Sequence, residues 1–222
     1  MTTRPGPPAE LPGPLELAPA DWSVGDVYHV LTALVVPRPI AWVSTVGADG
    51  VPNVAPHSYF NLVSHDPPHV AFSTTAVRDT LTNLRARPEF VVNVVTMDLV
   101  EPMNLTSADF PPEQDEFRWA GLTAVESRTV GVPRVGEAKA HLECRVVHEL
   151  AVGTATLVIG EVLHLHVDPE VWRDGRVDPR LLDPVCRLAG SGYAALGDVF
   201  RLDRPRWTDL ERQEADARRN QG

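Results

Sequence analysis

The sequence predicts a mainly β fold with a few helices, curled into a barrel rather than laid out as a doubly wound sheet. Three observations lead there. Most hydrophobic runs alternate with period two, they are short and bounded by Gly, Pro and Asp turn signals, and strands seldom alternate with helices as a parallel sheet requires. With 222 residues that are 43% hydrophobic, the chain can bury a core without disulfides or a structural metal.

Residues 1–20 carry prolines at 5, 7, 8, 12, 14 and 19 and almost no aromatic or β-branched content, which reads as a disordered Pro-rich arm. The folded unit is expected over residues 21–208. From Asp209 the sequence is nearly all polar, so 209–222 reads as a solvated helix or frayed tail.

Within the folded unit, residues 39–46 form a β-rich run that stops at Gly47-Ala-Asp-Gly50, and the chain returns through residues 52–55, which predicts a hairpin. Strands follow at 69–73, after the turn signal Asp66-Pro67-Pro68, and at 90–95. Between them, Leu81 and Leu84 share one face of a short helix over 78–86. Residues 141–148 and 156–166 are two long alternating runs that should pair as a second hairpin through 151–154. In the second run, Leu157, Ile159, Leu163 and Leu165 read as the core face, leaving Val158, Val162, His164 and His166 on the other.

Composition excludes several classes. A net charge of −10 opposes binding to nucleic acid or an anionic membrane. No run of about 18 apolar residues and no leader pattern is present, so a cytoplasmic protein is expected. Cys144 and Cys186 are too few for a disulfide framework and read as reduced thiols. No Gly-x-Gly-x-x-Gly follows a strand, and there is no Walker loop, Gly-x-Ser-x-Gly elbow or His-Glu-x-x-His. His164 and His166 have a spacing that suits a metal pair, but no third ligand recurs beside them, and no metal site is assigned.

Two segments carry chemistry. Ser73-Thr74-Thr75-Ala-Val-Arg78-Asp79-Thr80 ends a strand and opens a helix, placing hydroxyls, a guanidinium and helix N–H groups where a phosphate monoester would be held. The same residues serve equally as helix capping, with Arg78 solvated and Asp79 meeting the dipole. Ser58-Tyr59-Phe60-Asn61 sets an aromatic pair between two hydrogen-bonding side chains, a mixture that suits a planar heterocycle or a simple strand end.

Taken in order, Pro37-Arg-Pro-Ile-Ala41, Val43-Ser-Thr45, Gly50-Val-Pro-Asn-Val-Ala-Pro56, Ser58-Tyr-Phe-Asn61, Pro67-Pro68, Arg78-Asp-Thr80, Glu89-Phe-Val-Val-Asn93, Asp115-Glu-Phe117 and Glu143-Cys144 resemble the flavin reductase-like family of FMN-binding split β-barrels. The resemblance spans about Tyr28 to Tyr193. It implies that Ser44, Thr45 and Ser58 to Asn61 line the ring and ribityl chain of FMN, and that Ser73, Thr74, Arg78, Asp79 and Thr80 surround its phosphate. Arg78 stands where members usually have Lys, which keeps the charge and adds a bidentate option. The resemblance further implies a homodimer, with Tyr193 contributing at the partner's flavin, and NAD(P)H as co-substrate. Hydride passes directly to the flavin, so no catalytic side chain is named. Reduced FMN would go to a monooxygenase partner or another acceptor; the alternative is a non-catalytic FMN-binding electron-transfer protein. The outward place assigned to Val158 and Val162 is read as further support for an interface.

Overall fold

The computed structural model describes Gly13 and residues 16–219. The expected arm over 1–20 therefore lies mostly outside the described residues, as does the end of the polar tail. Helix α1 (Val24–Leu34) starts at Ser23, whose hydroxyl accepts from the Asp26 N–H. Strands β1 (Ala41–Val46) and β2 (Pro52–His57) form the first hairpin, with Gly50 at φ +86° in its turn. Strands β3 (Phe60–His65) and β4 (Pro68–Thr74) form the second.

Helix α2 (Asp79–Ala86) follows β4, and β5 (Glu89–Val94) returns beside β1. Two short helices, α3 (Val100–Leu105) and α4 (Glu116–Trp119), precede the long hairpin of β6 (Ala140–Val152) and β7 (Ala155–Val167). The seven strands lie in the order β2-β1-β5-β6-β7-β4-β3 with every pairing antiparallel.

The two outer strands, β2 and β3, are consecutive in the chain with only Ser58 and Tyr59 between them, yet they do not pair with each other. The sheet is a mainly β split barrel, open along this seam.

Both faces of β1 are buried, which explains why its apolar residues Ala41, Trp42 and Val43 run without alternation. Ala41 and Val43 pack with Phe72, Leu81, Leu84, Phe90, Val92, Cys144 and Val158 inside the barrel. Trp42 faces the other way, into a second core with Ile40, Val54, Leu99, Met103 and Phe117. Trp42 Nε1 donates to Thr106 Oγ1 at 2.9 Å, and that hydroxyl donates to Met103 O, which ties the end of α3 to β1. The two cysteines are free, Cys144 buried and Cys186 half-buried.

One face assignment is corrected. Val158 is 1% exposed in the barrel core and Val162 packs against it, whereas Leu165 is 60% exposed. The strand alternates without a break from Thr156 to Glu161 against β4, with Val158 and Gly160 inward, and an extra β7 residue enters only between Val162 and His164. Val158 and Val162 therefore give no support to an interface.

The polar end of the chain forms helix α5 (Trp207–Arg219), whose described side chains are exposed. Among the described residues, no helix is long and apolar enough to cross a membrane.

Candidate functional site

The seam is where the candidate residues gather, because the chain leaving β2 must cross from one edge of the sheet to the other. A cavity of about 430 Å³ lies between β2, the β4–α2 corner and the segment after α3. Thr74, Arg78, Asp79 and Thr80 line one wall; Asn53, Pro56 and His57 line a second; Ser107, Asp109, Phe110 and Glu116 complete it. Pro56 and Ser107 also border a neighbouring cavity of about 200 Å³, walled by Tyr28, Arg38, Ser58, Tyr59, Arg187 and Tyr193. Arg38, Ser58 and Tyr59 then lead into an apolar cavity of about 370 Å³ with Leu31, Val35, Phe60 and Asn61. The three make one cleft, charged at one end and aromatic to apolar at the other.

At the charged end, Arg78 occupies the N-cap position of α2 and its guanidinium pairs with the Asp109 carboxylate across the cavity. Both side chains are largely exposed, so the pair is readily exchanged. The Thr74 hydroxyl donates to Ala76 O at 2.9 Å and shapes the corner. Burial raises the pKa of Asp79 above the usual carboxylate value, against the pull of Arg78 and helped by Glu113. Burial likewise lowers His57 to about 4, so its ring is neutral near pH 7.

Behind this wall lies a buried polar network. Asn53 Oδ1 accepts from Thr45 and Thr80 hydroxyls, both at 3.3 Å, while Asn53 Nδ2 donates to Glu116 Oε1 at 2.8 Å. Asn83 Nδ2 donates to Thr45 Oγ1 at 3.1 Å.

The expected residues divide accordingly. Thr74, Arg78, Asp79 and Thr80 meet in the first cavity, while Ser58, Tyr59 and Tyr193 meet in the second. Tyr193 donates to Asn104 Oδ1 at 2.9 Å, with the Arg187 guanidinium 4.5 Å from its ring centre, so it lines its own chain's cleft. Phe60 and Asn61 reach only the apolar cavity. Ser44 and Thr45 are fully buried: Ser44 donates to Pro133 O at 2.6 Å and Thr45 is spent in the network, so neither lines the cleft. Ser73 does not line it either; its N–H is bonded to Tyr59 O.

Missed by the sequence reading were Asn53, His57, Asp109, Glu116, Tyr28, Arg38 and Arg187. Asn53, Arg38 and Glu116 stood inside quoted motifs, whereas Asp109 and Arg187 gave no local signal.

His164 and His166 sit away from the cleft. His166 Nε2 lies 2.6 Å from Glu143 Oε1, and its ring contacts His141 and His164. Among the described residues, no group of three or more His, Cys, Asp or Glu side chains is arranged to hold a metal ion.

Residues 33–180 match the flavin reductase like domain. The chain belongs to this family. Among solved structures of related proteins, nitrilotriacetate monooxygenase component B from Bacillus cereus is 36% identical, with a TM-score of 0.83 over 86% of this chain and 99% of that one. The 2-nitrobenzoate 2-nitroreductase NbaA of Pseudomonas fluorescens is 31% identical, with a TM-score of 0.81 over 87% of this chain and 98% of its own. A flavin reductase (NADH) from Kitasatospora aureofaciens is 35% identical over 74% of this chain and 83% of that protein. A flavin-binding site is what the family shares.

Proposed function

We propose that the protein is an NAD(P)H-dependent FMN reductase. The observation that carries this reading is the continuity of the cleft: a cation and a helix N-terminus at one end, aromatic and apolar walls at the other. A ligand with a phosphate at one end and a planar heterocycle at the other fits that order.

Arg78 and the N–H groups opening α2 hold the phosphate, with Asp109 giving up its pair to it, while the Thr80 hydroxyl stays committed to Asn53. Asn53 keeps Thr80 in place, and through Asn53 the buried Thr45 contributes without touching the ligand. Pro56, Ser58, Tyr59 and Tyr193 form the walls for the ring, and Arg38 and Arg187 bring positive charge to that end. FMN, when bound, supplies a ring that accepts hydride directly from a nicotinamide donor, so no side chain acts as general acid or base. Reduced flavin then passes to an acceptor, of which a partner monooxygenase is the class suggested by the component B relative.

The site is completed in a homodimer. Leu31, Leu34, Val35 and Val36 at the end of α1 and Leu62 and Val63 on the edge strand β3 are all exposed. They are the kind of apolar surface that a two-fold interface covers.

The test is aerobic oxidation of NADH and NADPH with and without added flavin, alongside titrations with FMN and riboflavin. FMN-dependent oxidation and tighter binding of FMN than of riboflavin are expected. FMN binding without nicotinamide oxidation would assign the protein to electron transfer instead, and equal affinity for the two flavins would remove the phosphate assignment.

A further inference from the structure

Glu116 opens α4 and is 4% exposed, yet it helps to line the cavity at the charged end of the cleft. Its Oε1 is held at 2.8 Å by Asn53 Nδ2, whose own oxygen is occupied by the Thr45 and Thr80 hydroxyls. The other oxygen, Oε2, is buried and has no hydrogen bond of good geometry, although the N–H groups of Glu116 and Val54 lie close enough to the carboxylate to favour its charged form. A buried carboxylate oxygen without a well-formed hydrogen bond is costly, and such orphans concentrate where a ligand or a proton completes the set.

The charges around it are unbalanced. Arg78 is the cation among the cavity's lining residues, against Asp79, Asp109 and Glu116. His57 on β2 is held neutral by burial, so it adds no positive charge near pH 7. Of the groups near α4 itself, Asp115 is committed to capping the Arg118 N–H, Arg118 is exposed, and Glu113 adds a further negative charge towards Asp79. Burial raises the pKa of Glu116, and Asp79 raises it further, against the opposing pull of the N–H of Glu116 itself, Asn53 and the N–H of Val54. A phosphate monoester brings about −1.5 to −2 charges into this space, which no further cation in the lining balances.

We propose that Glu116 takes up a proton from solvent when a phosphate-bearing flavin enters the cleft, so that its buried carboxyl group no longer opposes the incoming charge. This rests on the FMN reading. No electron moves and no covalent bond of the ligand changes; the proton returns to solvent when the ligand leaves. Glu116 is thus a specificity-determining residue that makes flavin affinity depend on pH.

The experiment is isothermal titration of the full chain with FMN and with riboflavin from about pH 6 to about pH 8, in buffers of differing ionisation heat, which counts protons taken up per ligand. The Glu116→Gln variant keeps an oxygen for Asn53 and presents a fixed donor at the Oε2 position. The unaltered protein is expected to take up close to one proton more per FMN than Glu116→Gln. Its FMN affinity should fall with rising pH by up to about tenfold per unit relative to that variant. The FMN phosphate titrates in the same range, so its ³¹P shift is followed in both proteins, and an extra proton that appears on the phosphate rather than on Glu116 would overturn the proposal. Equal proton counts in the two proteins would overturn the proposal. So would loss of the extra proton in Asp79→Asn but not in Glu116→Gln, which puts it on Asp79. A protein that binds riboflavin as tightly as FMN overturns the phosphate reading instead, and this proposal with it.

Discussion

A guanidinium paired with an exposed carboxylate, as Arg78 is with Asp109, adds little to folding, which leaves it available to a ligand. Arg78→Ala is therefore expected to leave thermal stability nearly unchanged while weakening FMN binding by roughly 10- to 100-fold, the equivalent of about 1.5–3 kcal/mol for a charge-assisted bond. Riboflavin binding should hardly change, and Arg78→Lys should recover most of the loss; fluorescence titration of the three proteins checks all of this. Arg78, Asp79 and Thr80 stood out as a charged corner between strand and helix that reads equally as helix capping, and the fold brings them to one cavity. Ser44 and Thr45 were not legible, since a polar residue in a strand reads the same whether it faces a ligand or a buried amide. In the fold their hydroxyls answer Pro133 O and Asn53, partners 89 and 8 residues away that no local pattern announces. Glu143 is hidden in the same way. Burial alone would raise its pKa, but the N–H groups of Arg128 and Thr129, the Thr129 hydroxyl and His166 overcome that and hold it at about 2.

These groups fix how stability responds to acid. His57 and His141 are both lowered to about 4, chiefly by burial, so the folded state stays neutral at pH values where the unfolded chain protonates. Their contribution is complete above about pH 6.5 and is lost as pH falls towards 4, at up to about 1.4 kcal/mol per unit for each. Glu143, with a depressed pKa, contributes above its ordinary value of 4.5 and is lost as pH falls from there towards 2. Denaturant midpoints measured from about pH 7 down to about pH 5 should therefore decline, against the opposite contribution of Asp79 and Glu116, whose raised pKa values favour the folded state as pH falls. The same series in Asp79→Asn and Glu116→Gln removes that opposition, and a flat profile there would show that the two imidazoles are not held neutral.

At the scale of elements, the clearest signals were the two hairpins with long or repeated alternation, β1–β2 and β6–β7, and helix α2 with its Leu81 and Leu84 stripe. The sequence reading treated Ser58 to Asn61 as the end of a strand, whereas β3 continues to His65 as an edge strand. Leu62 and Val63 on it are exposed and give no alternation to read. Helix α1 was missed because most of its apolar residues do not face the core; Leu31 and Leu34 are 52% and 74% exposed. On β7 the apolar residues lie on both faces, so the sequence offered no way to choose the phase, and the inward face is the one that carries Val158 and Gly160. A Cβ at Gly160 would stand 2.4 Å from Phe90 Cζ, so the absent side chain is what lets the Phe90 ring fill the barrel. Gly160→Ala is expected to destabilise by about 1–3 kcal/mol through overpacking, read as a lower urea midpoint with an unchanged slope.

For the whole molecule, the exposed Leu31 and Val35 border the apolar cavity that ends the cleft, whose opposite wall holds Phe60 and Asn61 just before the exposed Leu62 and Val63, so association and flavin occupancy should be linked. Light scattering is expected to give twice the 24.3 kDa chain mass. Leu62→Glu with Leu31→Glu should yield monomers with reduced flavin affinity; monomers that bind FMN as well as the parent would separate the two. The seam that admits the cleft also has to be kept from sealing. The Gly47 N–H to Val51 O bond sets the phase of the first hairpin, so the peptide groups of Pro52, Val54 and Pro56 point away from β1 towards the unpaired edge. Two of those three positions have no N–H to give, and the third has its N–H near Glu116. An edge stripped of donors in this way recruits no neighbouring strand. The barrel stays split for want of two hydrogens, and the space that a closing ladder would have filled is left to a ligand.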